Sequence, residues 1–414
     1  METLNIVDDP VGTLHPTATA TATNRNLHQR HLSSARGKDR KAGDNIRITQ
    51  PPRPTKARKS PKQKKARRWA RAGRRWKTPL ALIALILSLY AINPSQSNIA
   101  HPLIFLSYKL ESGPDADDGA PPAKYGKGPL DIFFVAFYTL VLFFAREFIM
   151  REILRPLALS LGITSRDKQA RFNEQVYVAI YTALLAGPLG VYVMYASPTW
   201  YFSTEGMYAG YPHAALPAVE KWYYLVQAAF WVQQALVMVL GLERRRRDFR
   251  ELVLHHVVTV ALVALSYRFH FTAMGVLVYV THDISDFFLA TSKALNYIDS
   301  PLYLQGPYYT LCIAVWVYLR HYVNLKILAS VLTEFRTIGP YVLDWEAGQF
   351  KCGISNVITF ALLAALQALN VFWLYCLLRN GYRFVAFGIA RDDREEEEEE
   401  EEKENGGVED MAGR

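Results

Sequence analysis

The chain has 414 residues, half of them hydrophobic, with 47 Lys and Arg against 38 Asp and Glu, and only three cysteines. Its charge is segregated: thirteen basic residues and no acidic one lie in 53–77, eight consecutive Glu fill 395–402, and the middle is apolar. Cys312, Cys352 and Cys376 sit in or beside apolar runs without CxxC or other metal-ligand spacing, so neither a disulfide framework nor a zinc module is supported.

Residues 1–52 are rich in Thr, Ala, Pro, Asn and Gly and lack any helical or strand period, a composition that buries too little apolar surface to fold. The basic run behind them ends in Trp69, Trp76 and Lys77, directly before an apolar segment. That abutment reads as a cytosolic anchor on anionic membrane lipid rather than a nucleic-acid-binding tract. Residues 1–77 are therefore expected to form a disordered, basic cytosolic arm. The first apolar run starts some 80 residues in, too late for a cleaved signal peptide.

Eight apolar segments are predicted as helices, near 79–95, 129–149, 174–195, 222–242, 252–267, 271–291, 303–332 and 355–379. The fold class is thus an all-α multi-pass membrane protein with about eight transmembrane helices. Arg151, Arg155, Arg166, Lys168 and Arg171 fall in one expected cytosolic loop, and Arg244, Arg245, Arg246, Arg247 and Arg250 in another. Asp115, Asp117 and Asp118 and the aromatic stretch 200–211 fall on the lumenal side. An even number of spans returns the C-terminus to the cytosol, where 386–414 form a disordered acidic tail. The segment 252–267 reaches only ~24 Å at 1.5 Å per residue, which suits a helix buried in the bundle beside a cavity.

The chemistry concentrates in 252–297. His255, His256, His282, Asp283 and Asp286 interrupt two helix-length apolar runs, and ionisable groups near the bilayer midplane cost roughly 2.5–3.5 kcal/mol each on insertion scales. On one helix His255 and Thr259 share a face, while His256 points about 100° away. On the next, His282 and Asp286 are four apart and Asp283 and Asp286 three apart, with Lys293 two turns beyond and Gly275 and Tyr279 on the same stripe. Polar groups from both helices are expected to meet in one chamber. A neutral His takes a proton or attacks a carbonyl, and a carboxylate on its other nitrogen fixes the tautomer, so His plus Asp in a water-poor cavity is acyl-transfer equipment. No HxxxH or HxxHH spacing occurs, and adjacent His on a helix do not readily share a metal, so none is assigned. Ser266 and Tyr267 are expected either to add hydroxyls to the chamber wall or, in the case of Ser266, to bond back to its own helix. The arginines 244–247 would attract the phosphates of a nucleotide-bearing acyl donor at the cytosolic mouth. Trp231, Gln233, Gln234 and the stretch around Tyr223 read as packing, and His321 and Lys326 carry no assigned role.

The spacing His255-His256, Thr259, Ser266-Tyr267, Gly275, His282-Asp283, Ser285-Asp286, Lys293, Tyr297 resembles the signature of the TLC-domain family and, within it, the ceramide synthases. The likeness extends to Arg171-Phe172-Asn173-Glu174, Tyr211-Pro212, Lys221-Trp222-Tyr223-Tyr224 and Arg247-Asp248, and covers about 168–385. His270-Phe271-Thr272 and Ser292-Lys293 resemble the fungal branch. Many animal members have Asn at 270, an acidic residue at 290, or a homeobox-like insert absent here. The resemblance implies a TLC catalytic domain over 168–385 in which six helices, the third to the eighth, form a barrel around a lipid-accessible chamber. The two N-terminal helices, within 78–167, then lie outside the barrel.

It further implies an endoplasmic reticulum enzyme, with both termini cytosolic, that N-acylates a sphingoid base from fatty acyl-CoA without a resident cofactor. A small single-pass regulatory subunit and homo- or heterodimerisation are implied as in fungal relatives. His255 or His256 is expected to act as base or transient acyl acceptor, with Asp283 or Asp286 orienting the imidazolium and His282 relaying protons. Acyl length is expected to be set in 332–355. The opposing reading is a non-enzymatic TLC-domain lipid sensor or membrane-translocation accessory protein.

Overall fold

The computed structural model describes residues 76–110, 123–197, 203–243 and 248–387. Nearly all of the basic arm and the acidic tail, and all four arginines 244–247, lie outside the described residues.

Long helices stand at the eight predicted apolar runs: α1 Lys77–Ile92, α2 Leu130–Ser160 and α3 Arg166–Ala196, α4 Ala218–Val239, α5 Phe249–Arg268, α6 Thr272–Tyr297, α7 Leu302–Thr333 and α8 Gly353–Phe387. Six of them, α2, α3 and α5 to α8, are long and apolar enough to cross a membrane. The fourth carries Glu220, Lys221, Gln227, Gln233 and Gln234 and is encased by protein, with every residue from Tyr223 to Trp231 buried. Its polar groups are thereby kept from hydrocarbon. Helix α1, 16 residues long, has no buried residue.

The later helices pack in a closed order: α3 on α4, α4 on α5, α5 on α8, α8 on α7, α7 on α6, and α6 back on α3. This is the six-helix ring expected of the third to eighth helices. Outside it, α2 packs on α4 and α1 on α2. The α2–α4 contact is pinned by Lys221, fully buried, whose Nζ lies 2.8 Å from Asp131 Oδ1 and donates to the carbonyls of Ser107 (2.9 Å) and Gly126 (2.7 Å). A lysine so placed stays charged only because all its donors are met.

Helix α5 departs from expectation. It runs 20 residues, ~30 Å, and turns one side outward, with Leu254 51% and Val257 60% exposed. The apolar run understated it because Arg250, Glu251 and Arg268 continue the helix at its two ends, where long polar side chains reach out of the hydrocarbon. The helix stops at His270, whose φ of +65° lies in the left-handed region. Phe271 N then bonds back to the Ser266 carbonyl at 2.8 Å, and α6 begins at once.

Three π-helical turns interrupt the rods, at Ile149–Leu154, Thr182–Ala186 and Val317–Val323. The first two precede Pro156 and Pro188, which lack the N–H that would continue the α ladder. No proline lies just beyond the third, which carries Arg320 and His321.

Two short ribbons complete the fold. Strand β1 Lys124–Tyr125 pairs antiparallel with β2 Leu216–Pro217, and β3 Leu343–Asp344 with β4 Gln349–Phe350. In the second hairpin Asp344 Oδ1 accepts the N–H groups of Glu346 (2.9 Å) and Ala347 (3.0 Å), and Gly348 supplies the left-handed φ of +67°. The Tyr211 hydroxyl ties it down, donating to the Phe269 carbonyl and accepting from Phe350 N, each at 3.0 Å.

Candidate active site

A cavity of about 240 Å³ lies inside the ring, between α4, α5, α6 and α8. Trp231, His255 and His282 wall one end, and Leu343, Trp345 and Phe350 of the β3–β4 hairpin wall the other. Between them the lining is almost wholly apolar, contributed by such residues as Leu262, Met274 and Leu362. From His255 to Phe269, both lining residues, α5 rises ~21 Å. The shape is that of a tube for an extended hydrocarbon chain with imidazoles at one end.

The convergence of α5 and α6 on one chamber is as predicted. His255, Thr259 and Ser266 from α5 and Gly275, Tyr279 and His282 from α6 all line it. The two adjacent histidines part company: both are buried, but His256 is not in the wall. The His255 ring stands nearly perpendicular between Trp231 (centroids 5.7 Å) and Trp373 (5.2 Å). The Trp373 indole also donates to Asp248 Oδ2 at 3.0 Å, joining α8 to the start of α5. Nδ1 of His255 is buried without a hydrogen-bond partner.

The lining hydroxyls differ in how they are satisfied. Those of Thr259 and Tyr279 are buried and unpartnered, whereas Ser266 bonds the hydroxyl of Tyr224. Unpaired donors in a hydrocarbon setting cost about 1–3 kcal/mol each, which a bound polar group would recover.

The expected His–Asp hydrogen bonds are not among the contacts. Asp283, 1% exposed, accepts from Gln227, whose Oε1 in turn accepts from Tyr181 at 2.7 Å. Asp286 is ion-paired to Arg320 at 2.5 Å. His282 spends Nδ1 on its own helix, 2.8 Å from the Val278 carbonyl. Each carboxylate is thus taken by a donor from a neighbouring helix, and neither lines the cavity. Tyr267 is also turned away: its hydroxyl donates to Asp131 Oδ2 at 2.8 Å and Lys127 lies over its ring. Lys293 is not in the wall either. Among the described residues no three His, Cys, Asp or Glu are grouped to hold a metal ion.

Four neighbours of the site went unassigned at the level of sequence: Trp231, read there as packing, together with Gln227, Arg320 and Asn370. Arg320 carried a usable signal, since an arginine inside the apolar run 303–332 costs as much as the histidines that were noticed.

Outside the membrane-spanning helices, burial shapes the groups near the hairpin end. It pulls Lys127 down to about 7, His270 down to about 4, and pushes Tyr211 up to about 12.

Residues 171–379, from the start of α3 to the end region of α8, match the family model described as the TLC domain. That match spans half the chain and the whole ring. The chain belongs to the TLC-domain family. Its similarity to fungal members is extensive. It is 54% identical over 320 residues to the sphingosine N-acyltransferase-like protein FUM17 of Gibberella moniliformis, covering 77% of this chain and 81% of that one. It is 45% identical over 322 residues to the ceramide synthase LAG1 of Saccharomyces cerevisiae, covering 77% and 75%. To the sphingosine N-acyltransferase lac1 of Schizosaccharomyces pombe it is 44% identical over 319 residues, covering 77% and 80%. The TLC match places both histidine-bearing helices and the cavity within the family's own domain.

Proposed function

We propose that this TLC protein is a sphingoid-base N-acyltransferase, a ceramide synthase that transfers a fatty acyl group from acyl-CoA to an amine and releases CoA. The observation that carries the reading is the apolar cavity inside the ring with His255 and His282 at one end and ~21 Å of α5 along its wall, room for an extended acyl chain. The fungal relatives, among them a ceramide synthase and sphingosine N-acyltransferases, support the same reaction. The reading takes acyl-CoA as co-substrate and invokes no resident cofactor, on the family resemblance.

The thioester is already activated, and the amine must lose a proton before it attacks. His255 is the better candidate of the adjacent pair, because it is in the wall and His256 is not. In the covalent route its Nε2 attacks the thioester carbonyl, the C–S bond breaks and CoA leaves as the thiol after taking a proton. The amine then attacks the acyl-imidazole, the C–N bond to His255 breaks, and the amine's proton passes to a ring nitrogen. In the direct route His255 accepts that proton while the amine attacks the thioester itself. His282 stands in the same end of the wall and would orient the reacting groups beside His255. The acyl tail runs past Met274 towards the hairpin. The arginines 244–247 directly precede Asp248, ~10 Å along α5 from His255, and are proposed to hold the CoA phosphates.

The same proposal places the protein in the endoplasmic reticulum membrane with both termini cytosolic. Arg151 and Arg155 near the end of α2, Arg166, Lys168 and Arg171 in the first turns of α3, on the helices rather than in the loop expected, and the arginines between α4 and α5 support that orientation. A single-pass subunit and dimerisation rest on the family resemblance.

The test uses the purified full chain with a panel of acyl-CoA donors and a sphingoid base, scoring CoA release and ceramide together. Wild type should release CoA in step with ceramide, and His255→Ala should abolish both while His256→Ala keeps measurable turnover. Lipid binding without CoA release would instead favour a sensor or accessory protein. Intact mass, with and without His255, separates the covalent from the direct route.

A further inference from the structure

Arg320 is 3% exposed in the middle of α7, within the π-helical turn that has no proline just beyond it. Such turns re-aim side chains and cluster at functional sites. Here the guanidinium is turned onto α6 and α8. Its Nε donates to Ser285 Oγ at 2.6 Å, Nη2 to Asp286 Oδ1 at 2.5 Å and to the His282 carbonyl at 3.3 Å, and Nη1 to Asn370 Oδ1 at 3.3 Å. The Trp316 ring lies 4.1 Å beneath it.

These contacts fix more than the ion pair. A guanidinium only donates, so the Asn370 amide must present its oxygen to Arg320 and its NH₂ to the other side. There it faces His282, with Nδ2 3.4 Å from Nε2. At the opposite edge of the ring the Val278 carbonyl only accepts, so Nδ1 carries the proton. The two constraints agree on one neutral tautomer, with Nε2 as the acceptor. The charged or titratable groups around this ring are Asp283 and Asp286 on α6, Arg320 on α7 and His255 on α5.

We infer that Arg320 is a positioning residue for the acyl transfer: by orienting the Asn370 amide, whose NH₂ donates to His282 Nε2, it holds the His282 ring fixed in the cavity wall on the same side as His255. The inference rests on the N-acyltransferase reading. Asp286 then serves as the counter-ion of Arg320. A pair of this kind, Arg320 buried and the Asp286 side chain 26% exposed, adds little net stability, because desolvation offsets the attraction, but breaking it leaves a charge without its partner.

That asymmetry gives the experiment. Arg320→Met strands Asp286 and should lower thermal stability, whereas Arg320→Met with Asp286→Leu removes both charges and should regain it. If Arg320 positions His282, the double variant still shows kcat for CoA release down about 100-fold with KM for acyl-CoA nearly unchanged, the scale of a misplaced reacting group. Asn370→Leu keeps the ion pair intact and should lose kcat to the same extent, with a smaller fall in melting temperature than Arg320→Met because only single hydrogen bonds to Arg320 and His282 are lost. It decides the matter should the double variant fail to fold. Wild-type kcat in either the double variant or Asn370→Leu overturns the inference. Absence of CoA release from the wild-type protein overturns the N-acyltransferase reading instead.

Discussion

A plug placed part-way along the cavity should shift the donors the protein accepts towards shorter acyl chains. Met274 lines the tube eight residues before His282 on α6, ~12 Å from the imidazole end. The wild-type tube runs ~21 Å along α5, so Met274→Trp would remove about 9 Å of it. An extended chain advances about 1.3 Å per methylene, given C–C bonds near 1.5 Å, so roughly seven methylenes lose their place. At ~0.8 kcal/mol per methylene transferred from water, that is about 5–6 kcal/mol, or on the order of 10⁴ in kcat/KM. A donor delivered from a bilayer gains less on entering the tube, so the long-to-short ratio of kcat/KM should fall by at least about 100-fold. The assay is CoA release at limiting donor across a ladder of acyl lengths. Short donors should keep wild-type kcat/KM in the variant. Equal loss for every length, or no loss for any, would refute the placement of the acyl chain.

Gly275→Ala tests the wall beside Ser266. A Cβ there would collide with the hydroxyl and ring of Tyr224, which is fully buried and bonded to Ser266. The helix-propensity gain of about 1 kcal/mol is then outweighed by an overpacking cost of about 1–3 kcal/mol, so a lower melting temperature is expected; a higher one would show that Tyr224 can move. Lys127 tests the hairpin end, where burial holds it near 7 in the folded chain against 10.5 when exposed. Between those values the unfolded chain holds a proton that the folded chain lacks, so stability should rise with pH from about 7 to about 10, and the penalty is full below 7. Lys127→Met should therefore be more stable than wild type at pH 7 and flatten that rise, measured by thermal unfolding across the range.

The positions of the helices were legible because hydrocarbon admits few alternatives to them. Every backbone group must be paired within the segment, so length and apolarity nearly suffice. Helix α5 was clipped at both ends for the complementary reason: Arg250, Glu251 and Arg268 belong to the helix but reach out of the hydrocarbon. The chamber itself was legible from residues of unlike cost, two imidazoles and several hydroxyls on two adjacent helices. The choice between His255 and His256 was not, since their 100° separation is fixed by the helix but the rotation of α5 about its axis is not. That rotation follows from the closing of the ring, which seats α5 between α4 and α8 and leaves Leu254 and Val257 facing outward.

The pairing of the aspartates shows where the sequence argument stops and why. Insertion cost says that each buried charge needs a partner, and helical spacing offered His282 to Asp286, four residues away on the same helix. The structure gives Asp286 to Arg320 and Asp283 to Gln227 instead. The preference is physical: a guanidinium supplies a permanent charge with several donors, whereas an imidazole four residues off can satisfy Nδ1 on its own helix's carbonyl, as His282 does with Val278. Counting Arg320 with the other midplane charges would have exposed one cation that needed an anion. Knowing that α7 packs on α6, rather than merely following it in the chain, is what names the anion as Asp286. The pair thereby leaves His255 and His282 in the cavity wall with no carboxylate on either ring.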